Sequence, residues 1–380
     1  MKTVFDHMKE IGAEKKLSDF KVKQAQDFSF KRNYAETRAW EFYNHPDIAG
    51  NAYVSVGGLD SIVLFLFLRS IGIDVPAVSV SWLEDASNQR VHKALGVVSL
   101  PPAQKPDGTR WTKHEVIKTF GYPVLSKEIA KKIHQLQNPS PKNAIVRHTI
   151  ITGETGEYGG YQINSRMKMS QKWLEKFGGA DEEGKALGYA SAPFKVSDAC
   201  CYYLKEKPCY DYAKSTGAYP YMGLMASEGG RRQKALMLHG CNYISQGTKR
   251  SCPFAIFHRD DLLRLAEEMD DWYKEHWQEF PGEKLDSIIP TIYGKIQRNA
   301  NGERETTGAK RTGCEICMFG IHLEKRPHRF DRLREKNPKA WDYWMKNMGF
   351  GEVLDYIGVP WKDKVISYKQ IDFWGDEVTM

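Results

Sequence analysis

No apolar run in this 380-residue chain approaches the roughly 20 residues that cross a bilayer. The longest, Ile62 to Leu68, suffices for a buried helix, so no membrane-spanning segment is expected. The stretch Met1 to His7 lacks the apolar core of a signal peptide, which leads us to expect a cytoplasmic protein. Internal repeats and low-complexity segments are also missing. In a cytoplasmic chain the seven cysteines are not expected to form disulfides, and an odd number leaves one over in any case. What is present, 41% hydrophobic and 27% charged residues with 10 Trp, 19 Tyr and 17 Phe, excludes disorder, collagen and coiled coil. The net charge of +7 (55 basic, 48 acidic) permits an anionic ligand or nucleic acid without demanding one.

The pattern predicts an α/β class, a doubly wound, mainly parallel sheet flanked by helices. Residues 1–48 carry spaced apolar residues (Phe20, Phe28, Tyr34, Trp40, Phe42, Tyr43) and read as a helical N-terminal extension closed at His45-Pro46. Ala52 to Val56 is β-rich, Gly57-Gly58 is a turn, 61–71 is a buried helix and Val75 to Trp82 a second strand. Such a βαβ unit has parallel strands and a right-handed crossover. Helices over Thr112 to Phe120 and Ser126 to Gln137, around a Tyr122 to Leu125 strand, continue the alternation. From Asn138 to Lys195 the pattern weakens to one helix, Ser165 to Phe177, and this stretch is expected over or beside the site. Tyr219 to Ala226 reads as a strand and Asp260 to Trp277 as a long helix. The expected division is 1–48 as the extension, 49–324 as the α/β domain that includes the cysteines, and 325–380 as a helical, aromatic and basic extension.

Ser55-Val56-Gly57-Gly58-Leu59-Asp60-Ser61 joins a strand to a helix through two glycines. A backbone without side chains can wrap a phosphate, and a helix N-terminus offers unpaired N–H groups to it. The segment is neither a Walker A loop nor a dinucleotide fingerprint, and a plain Gly-Gly turn with Asp60 as helix cap is the alternative. Further on, Cys200-Cys201 and Cys314-x-x-Cys317 supply four thiols. Four thiolates can close a zinc site or hold an iron-sulfur cluster, and a C-x-x-C alone can be a redox pair. Cys209 and Cys252 read as small core hydrophobes, as does Cys241 by default, although it follows Arg231-Arg232 closely. Those two arginines come just after a strand and a glycine pair, where guanidinium forks suit phosphate or sulfate, although on the residues alone a solvated helix start is the favoured reading.

The glycine segment resembles the PP-loop, Ser-Gly-Gly-x-Asp-Ser, of the adenine-nucleotide alpha-hydrolase superfamily, which includes ATP pyrophosphatases and phosphoadenylylsulfate (PAPS) reductases. Gly57, Gly58, Asp60 and Ser61 match; Val56 stands where the first Ser is usual, beside Ser55, and Leu59 where Lys is frequent. The Cys-Cys and C-x-x-C pairs are similar to the [4Fe-4S] ligands of adenylylsulfate (APS) reductases. The words Ala192 to Cys201 and Thr312 to Glu324 are still closer to PAPS-reductase-domain proteins of bacterial mobile elements, a likeness covering about 35–360. Gly229-Gly230-Arg231-Arg232-Gln233 resembles the anion-binding arginine segment of the same reductases. The resemblance implies an adenine nucleotide, ATP or APS/PAPS, at Ser55, Gly57, Gly58, Asp60, Ser61, Arg231 and Arg232, with Mg²⁺ near Asp60, and a [4Fe-4S] cluster, zinc being the alternative, on Cys200, Cys201, Cys314 and Cys317. Asp60, Arg231 and Arg232 are the expected catalytic groups.

The reductases also carry a nucleophilic Cys in a C-terminal Glu-Cys-Gly-Leu-His motif, whereas no cysteine occurs over 318–380 here and Cys241 is the candidate substitute. The expectation is therefore ATP-pyrophosphatase-type sulfur transfer or adenylylation, with a sulfur-donor protein or thioredoxin-like reductant as partner and nucleic acid as one acceptor class. The aromatic-basic residues Trp341, Tyr343, Trp344, Trp361, Lys362 and Lys364 are compatible with that acceptor, although tails of this kind more often pack as helices on the core. A sulfonucleotide reductase releasing sulfite, and a non-catalytic nucleotide-binding module, are the alternatives.

Overall fold

The computed structural model describes residues 4–179, 191–310 and 312–362. By spatial contact the chain forms two compact units, 1–121 with 198–317, and 122–197 with 318–380. Among the described residues no helix is long and apolar enough to cross a membrane.

The first unit opens with helices α1 (Val4–Gln24) and α2 (Phe28–Tyr43), then strand β1 (Ala52–Ser55), α3 (Leu59–Ser70), β2 (Ala77–Ser79), α4 (Ala86–Ala94), β3 (Val98–Ser99) and α5 (Lys113–Phe120). The second unit holds α6 (Lys127–Gln137), α7 (Ala144–Thr152) and α8 (Gln171–Phe177). The first unit resumes with α9 (Ala199–Cys201), a π-helical turn Tyr202–Glu206, α10 (Lys207–Thr216), β4 (Tyr219–Met222), α11 (Gly230–His239), β5 (Asn242–Ile244), β6 (Lys249–Ser251), α12 (Arg259–His276) and the hairpin β7 (Ile296–Arg298) with β8 (Arg304–Thr306). Helices α13 (Arg329–Lys336), α14 (Pro338–Asp342) and α15 (Phe350–Ile357) belong to the second unit.

The six-stranded sheet runs β3-β2-β1-β4-β6-β5, parallel except for the β5–β6 pair. It is the expected doubly wound, mainly parallel sheet, and strand alternation explains its two-sided packing. Ala52, Val54 and Val56 face the core that holds α3 and α12, while Tyr53 faces a second core with Val78, Leu100, Val116 and Leu204. Helix α3 is apolar all round because it is covered all round: Leu59 and Ile62 to Leu68 are buried, each large side chain contributing roughly 1.5–3 kcal/mol. The N-terminal helices are part of this body. Lys31 Nζ meets Asp261 Oδ2 at 2.8 Å with both side chains buried, and Tyr221 donates to the Ala39 carbonyl at 2.7 Å.

Several expected elements are shorter or different. The strand expected over Tyr122 to Leu125 reduces to isolated bridges, Tyr122 with Val196 and Leu125 with Phe319. Pro123 has no N–H to donate, and Leu125 sits at φ 61°, outside strand geometry. The second strand is only Ala77–Ser79, followed by a 3-10 turn Ser81–Leu83. The strand expected to Ala226 stops at Met222, and at the next residue, Gly223, a Cβ would lie 2.8 Å from the Asp60 carbonyl oxygen. The helix expected from Ser165 begins at Gln171, and α7 was not foreseen.

Candidate functional site

Sheet order locates the site. Strand β1 lies between β2 and β4, so the chain leaves it in opposite directions, and ligands of open α/β sheets bind at the carboxyl ends of strands at such a point. Gly57-Gly58 follows β1, Ser81 and Glu84 follow β2, and Glu228 to Arg232 follow β4, so this one edge collects three segments.

The glycine turn is held from several sides. Ser61 Oγ accepts from the Gly57 N–H at 2.8 Å and donates to the Gly58 carbonyl at 2.9 Å, closing the loop on itself. The Leu59 N–H, first in α3, donates to the Tyr293 hydroxyl at 3.0 Å. That hydroxyl shares a 2.7 Å hydrogen bond with Thr312 Oγ1, which also accepts from Asn88 Nδ2 at 3.0 Å. Gly58 is required here by space: a Cβ would collide with the Tyr293 hydroxyl and lie 2.8 Å from Thr312 Oγ1. His92 buttresses the other side, Nε2 lying 2.8 Å from the Gly57 carbonyl and Nδ1 2.8 Å from Ser81 Oγ. Because a carbonyl only accepts, Nε2 carries the proton and Nδ1 accepts from Ser81. Burial pushes the His92 pKa below its ordinary value, against the pull of the Gly57 carbonyl and Glu84.

Asp60 is not a helix cap. The cap position is Gly58, and Asp60, in the first turn of α3, binds Arg259 Nη1 at 2.5 Å. Arg259 Nη2 also reaches the Lys310 carbonyl at 3.2 Å. Of the two expected arginines, Arg232 pairs with the buried carboxylate of Glu228 at 2.7 Å, and the side chain of Arg231 lies outside the described residues. Ser55 ends β1, paired with Val78 and Met222.

The cysteines do come together. Cys200 and Cys201 stand at the start of the helical stretch Ala199–Thr216, just before its π-helical turn, and Cys317 N–H closes a turn onto the Cys314 carbonyl at 3.0 Å. Cys200 and Cys314 pack on the same small core. Burial raises the Cys200 pKa most, the charges of Cys314, Cys201 and Cys317 raise it further, and Lys113 opposes them. No disulfide joins any of the seven cysteines. Among the described residues no three ligand-type side chains close into a metal-binding group. An all-sulfur donor set of this kind suits zinc or an iron-sulfur cluster, and a bound cation relieves the mutual repulsion of the thiolates.

Lys205, on the π-helical turn, links the two parts. Its Nζ lies 2.7 Å from Glu84 Oε1, and Glu84 Oε1 lies 3.7 Å from where a Gly57 Cβ would stand. Burial works to lower the Lys205 pKa, but Glu84, then Cys314 and Cys201, outweigh it and hold it raised. Glu84 Oε2 and Asn88 Oδ1 are buried with no hydrogen-bond partner among the described residues, two acceptors open to a donor beside the glycine turn.

Cys241 has the wrong surroundings for a nucleophile. It is buried at 4% exposure in the main core, its thiol pushed up to about 12 by burial and by Cys252, whereas reactive thiols are exposed and low in pKa. Sequence reading missed Glu84, Asn88, His92, Lys205, Arg259 and Tyr293. Only Glu84 carried a signal, as an acidic residue soon after the second strand of a βαβ unit. In comparisons with known proteins, no family model matches the chain and no curated protein gives a significant match.

Proposed function

We propose that the chain is an adenine-nucleotide-binding enzyme of the PAPS reductase-like, ATP-pyrophosphatase type, working in the cytoplasm and activating an acceptor for sulfur transfer. The observation that supports this reading is the Lys205–Glu84 pair, which ties the glycine turn to the helical stretch that begins with Cys200 and Cys201. In this reading Gly57, Gly58 and Ser61 cradle the phosphates of ATP, Arg259 exchanges its carboxylate partner for the ATP charge, and Arg232, held on Glu228, adds positive charge beside it. Asp60, released from Arg259, orients Mg²⁺. Cys200, Cys201, Cys314 and Cys317 hold a [4Fe-4S] cluster, which when bound supplies a site for sulfur or electron transfer next to the nucleotide. A sulfur-donor protein or thioredoxin-like reductant supplies the sulfur or the electrons, and nucleic acid is the acceptor class developed below. The reading as a sulfonucleotide reductase loses its proposed nucleophile with the burial of Cys241.

The test is anaerobic purification with iron, sulfide and zinc analysis, followed by ATP titration and assay of pyrophosphate release from ATP against sulfite release from APS. A brown protein that binds ATP, and from which the Cys314→Ala and Cys200→Ala variants lose their iron, is expected. A colourless zinc protein overturns the cluster, absence of ATP binding overturns the nucleotide site, and sulfite release without pyrophosphate release overturns the reaction.

A further inference from the structure

Positive charge is not spread evenly over this chain. The described residues of the second unit, 122–179, 191–197 and 318–362, hold 19 Lys and Arg against 10 Asp and Glu, a net +9. Counted over all of 122–197 and 318–380 the unit holds 22 against 17, a net +5, and the larger first unit 33 against 31, a net +2. Over 318–362 many cations are already paired, Arg326 with Asp331, Arg329 with Glu324 and Lys346 with Asp342. Residues 158–174 differ: they contain Arg166, Lys168 and Lys172, all exposed, and no carboxylate.

This segment is built onto α7. The Ser165 N–H donates to the Gly153 carbonyl and the Met169 N–H to the Ile150 carbonyl, each at 2.8 Å, and Lys132 Nζ holds the Arg166 carbonyl at 3.0 Å. Its outward side chains and those of α7 therefore share one face. On it Tyr161 is 72% exposed, Ile163 83% and Ile145 64%, and an open cavity of about 420 Å³ is lined by Ile145, His148, Glu154 and Tyr161. A folded protein partner would have to desolvate Lys168 and Lys172, and protein interfaces are depleted in lysine. A phosphodiester backbone instead releases counterions on meeting such cations, and an aromatic ring left in water accepts an unstacked base.

We propose that this face of the second unit binds single-stranded nucleic acid, with Arg166, Lys168 and Lys172 on backbone phosphates and Tyr161 stacked on a base. The inference deepens the preceding reading and rests on it for the purpose of the binding, as the acceptor, but not for the binding itself. Fluorescence anisotropy of the full chain, without ATP, is measured with labelled oligo(dT) and oligo(U) of about 20 nucleotides and with a duplex of equal length. The expected result is tighter binding of single strands than of duplex, the preference between dT and U naming DNA or RNA as the source. Tyr161→Ala is expected to weaken single-strand binding about tenfold and leave duplex binding unchanged. Arg166→Gln with Lys168→Gln is expected to lower the slope of log affinity against log salt by about 1.4. These positions are exposed, and unchanged thermal melts confirm that the variants fold. Failure of any oligonucleotide to bind at about 50 mM salt, or binding indifferent to all three substitutions, overturns the proposal. So does a Tyr161→Ala or Ile163→Ser protein whose sedimenting mass changes while oligonucleotide affinity does not, an outcome that assigns the face to protein contact. A chain that binds oligonucleotide but no ATP leaves this proposal standing and overturns the nucleotide site instead.

Discussion

Replacing Gly58 by Ala sets a methyl group against the hydroxyl that caps the helix behind the glycine turn. The built Cβ collides with the Tyr293 oxygen and lies 2.8 Å from Thr312 Oγ1, while the Tyr293 ring carbon behind that oxygen is at an ordinary 3.8 Å. The backbone at Gly58, φ −91°, is open to alanine, so the cost is one of space and amounts to about 1–3 kcal/mol for overpacking. Tyr293→Phe removes the oxygen. Alone it strips the Leu59 N–H and Thr312 of a buried hydrogen bond each, at about 1–3 kcal/mol in all. Together the substitutions interfere favourably, because phenylalanine vacates the space the new methyl needs, although Thr312 Oγ1 still crowds it. The double variant should therefore be less destabilised than the sum of the single ones, by about 1 kcal/mol. Thermal or urea unfolding of the four proteins measures this, each kcal/mol moving the midpoint by roughly 2–4 °C in a unit of this size. Additivity within about 0.5 kcal/mol would refute the claim that Tyr293 fills the space above Gly58.

Three further outcomes turn on buried side chains. His92 is buried and its folded-state pKa is lowered, so below the unfolded value near 6.5 the unfolded chain takes a proton that the folded chain refuses. Stability should fall as the pH drops from 7.5 through 6.5 towards 5.5, and His92→Gln should flatten that slope; an unchanged slope in the variant would locate the titration elsewhere. Native Cys241 and Cys252, both pushed up to about 12 by burial, should resist iodoacetamide at pH 8 and react only on unfolding, and Cys241→Ala should leave ATP binding unchanged. Lys205→Met strands the buried Glu84 carboxylate; since Lys205 is itself 37% exposed, the loss should lie near about 1–3 kcal/mol, and Lys205→Met with Glu84→Gln should recover part of it.

The elements that were legible are those whose burial is uniform. Ile62 to Leu68 reads as a buried helix and Ala52 to Val56, before a double glycine, as a strand, so the first βαβ unit follows from the hydrophobic runs and the glycine turn between them. Helix α7 was not legible because Ile145, Val146, Ile150 and Ile151 are β-branched, and its helicity comes from packing on α6, which tertiary context decides. The site divides in the same way. Glycines and cysteines announce themselves by spacing, but Tyr293 reaches Leu59 across 234 residues and His92 reaches Gly57 across 35, with no motif to connect them. Arg232 was read as an anion clamp, yet Glu228 stands four residues before it on the same side, and the ion pair they form was there to be seen.

That pair belongs to a wider arrangement, in which the corner satisfies its own groups. Leu59 N–H has the Tyr293 hydroxyl, Gly57 N–H has Ser61, Asp60 has Arg259 and Glu228 has Arg232. A neutral hydrogen bond is worth about 0.5–1.5 kcal/mol net and one to a charged group about 1.5–3. An anion that takes the Leu59 N–H from Tyr293 therefore gains about 1 kcal/mol on that donor, and it gains more from a guanidinium only if the displaced carboxylate finds a partner. For Asp60 a divalent cation is the obvious one. The Glu228 carboxylate is the more deeply buried of the two, its side chain 4% exposed against 22% for Asp60, so drawing a cation away from it costs more. The energetics thus favour Arg259 over Arg232 as the guanidinium that turns to a phosphate. Arg259→Met should then weaken ATP binding more than Arg232→Met in a direct titration, and the reverse order would mean that Glu228, not Asp60, gives up its arginine.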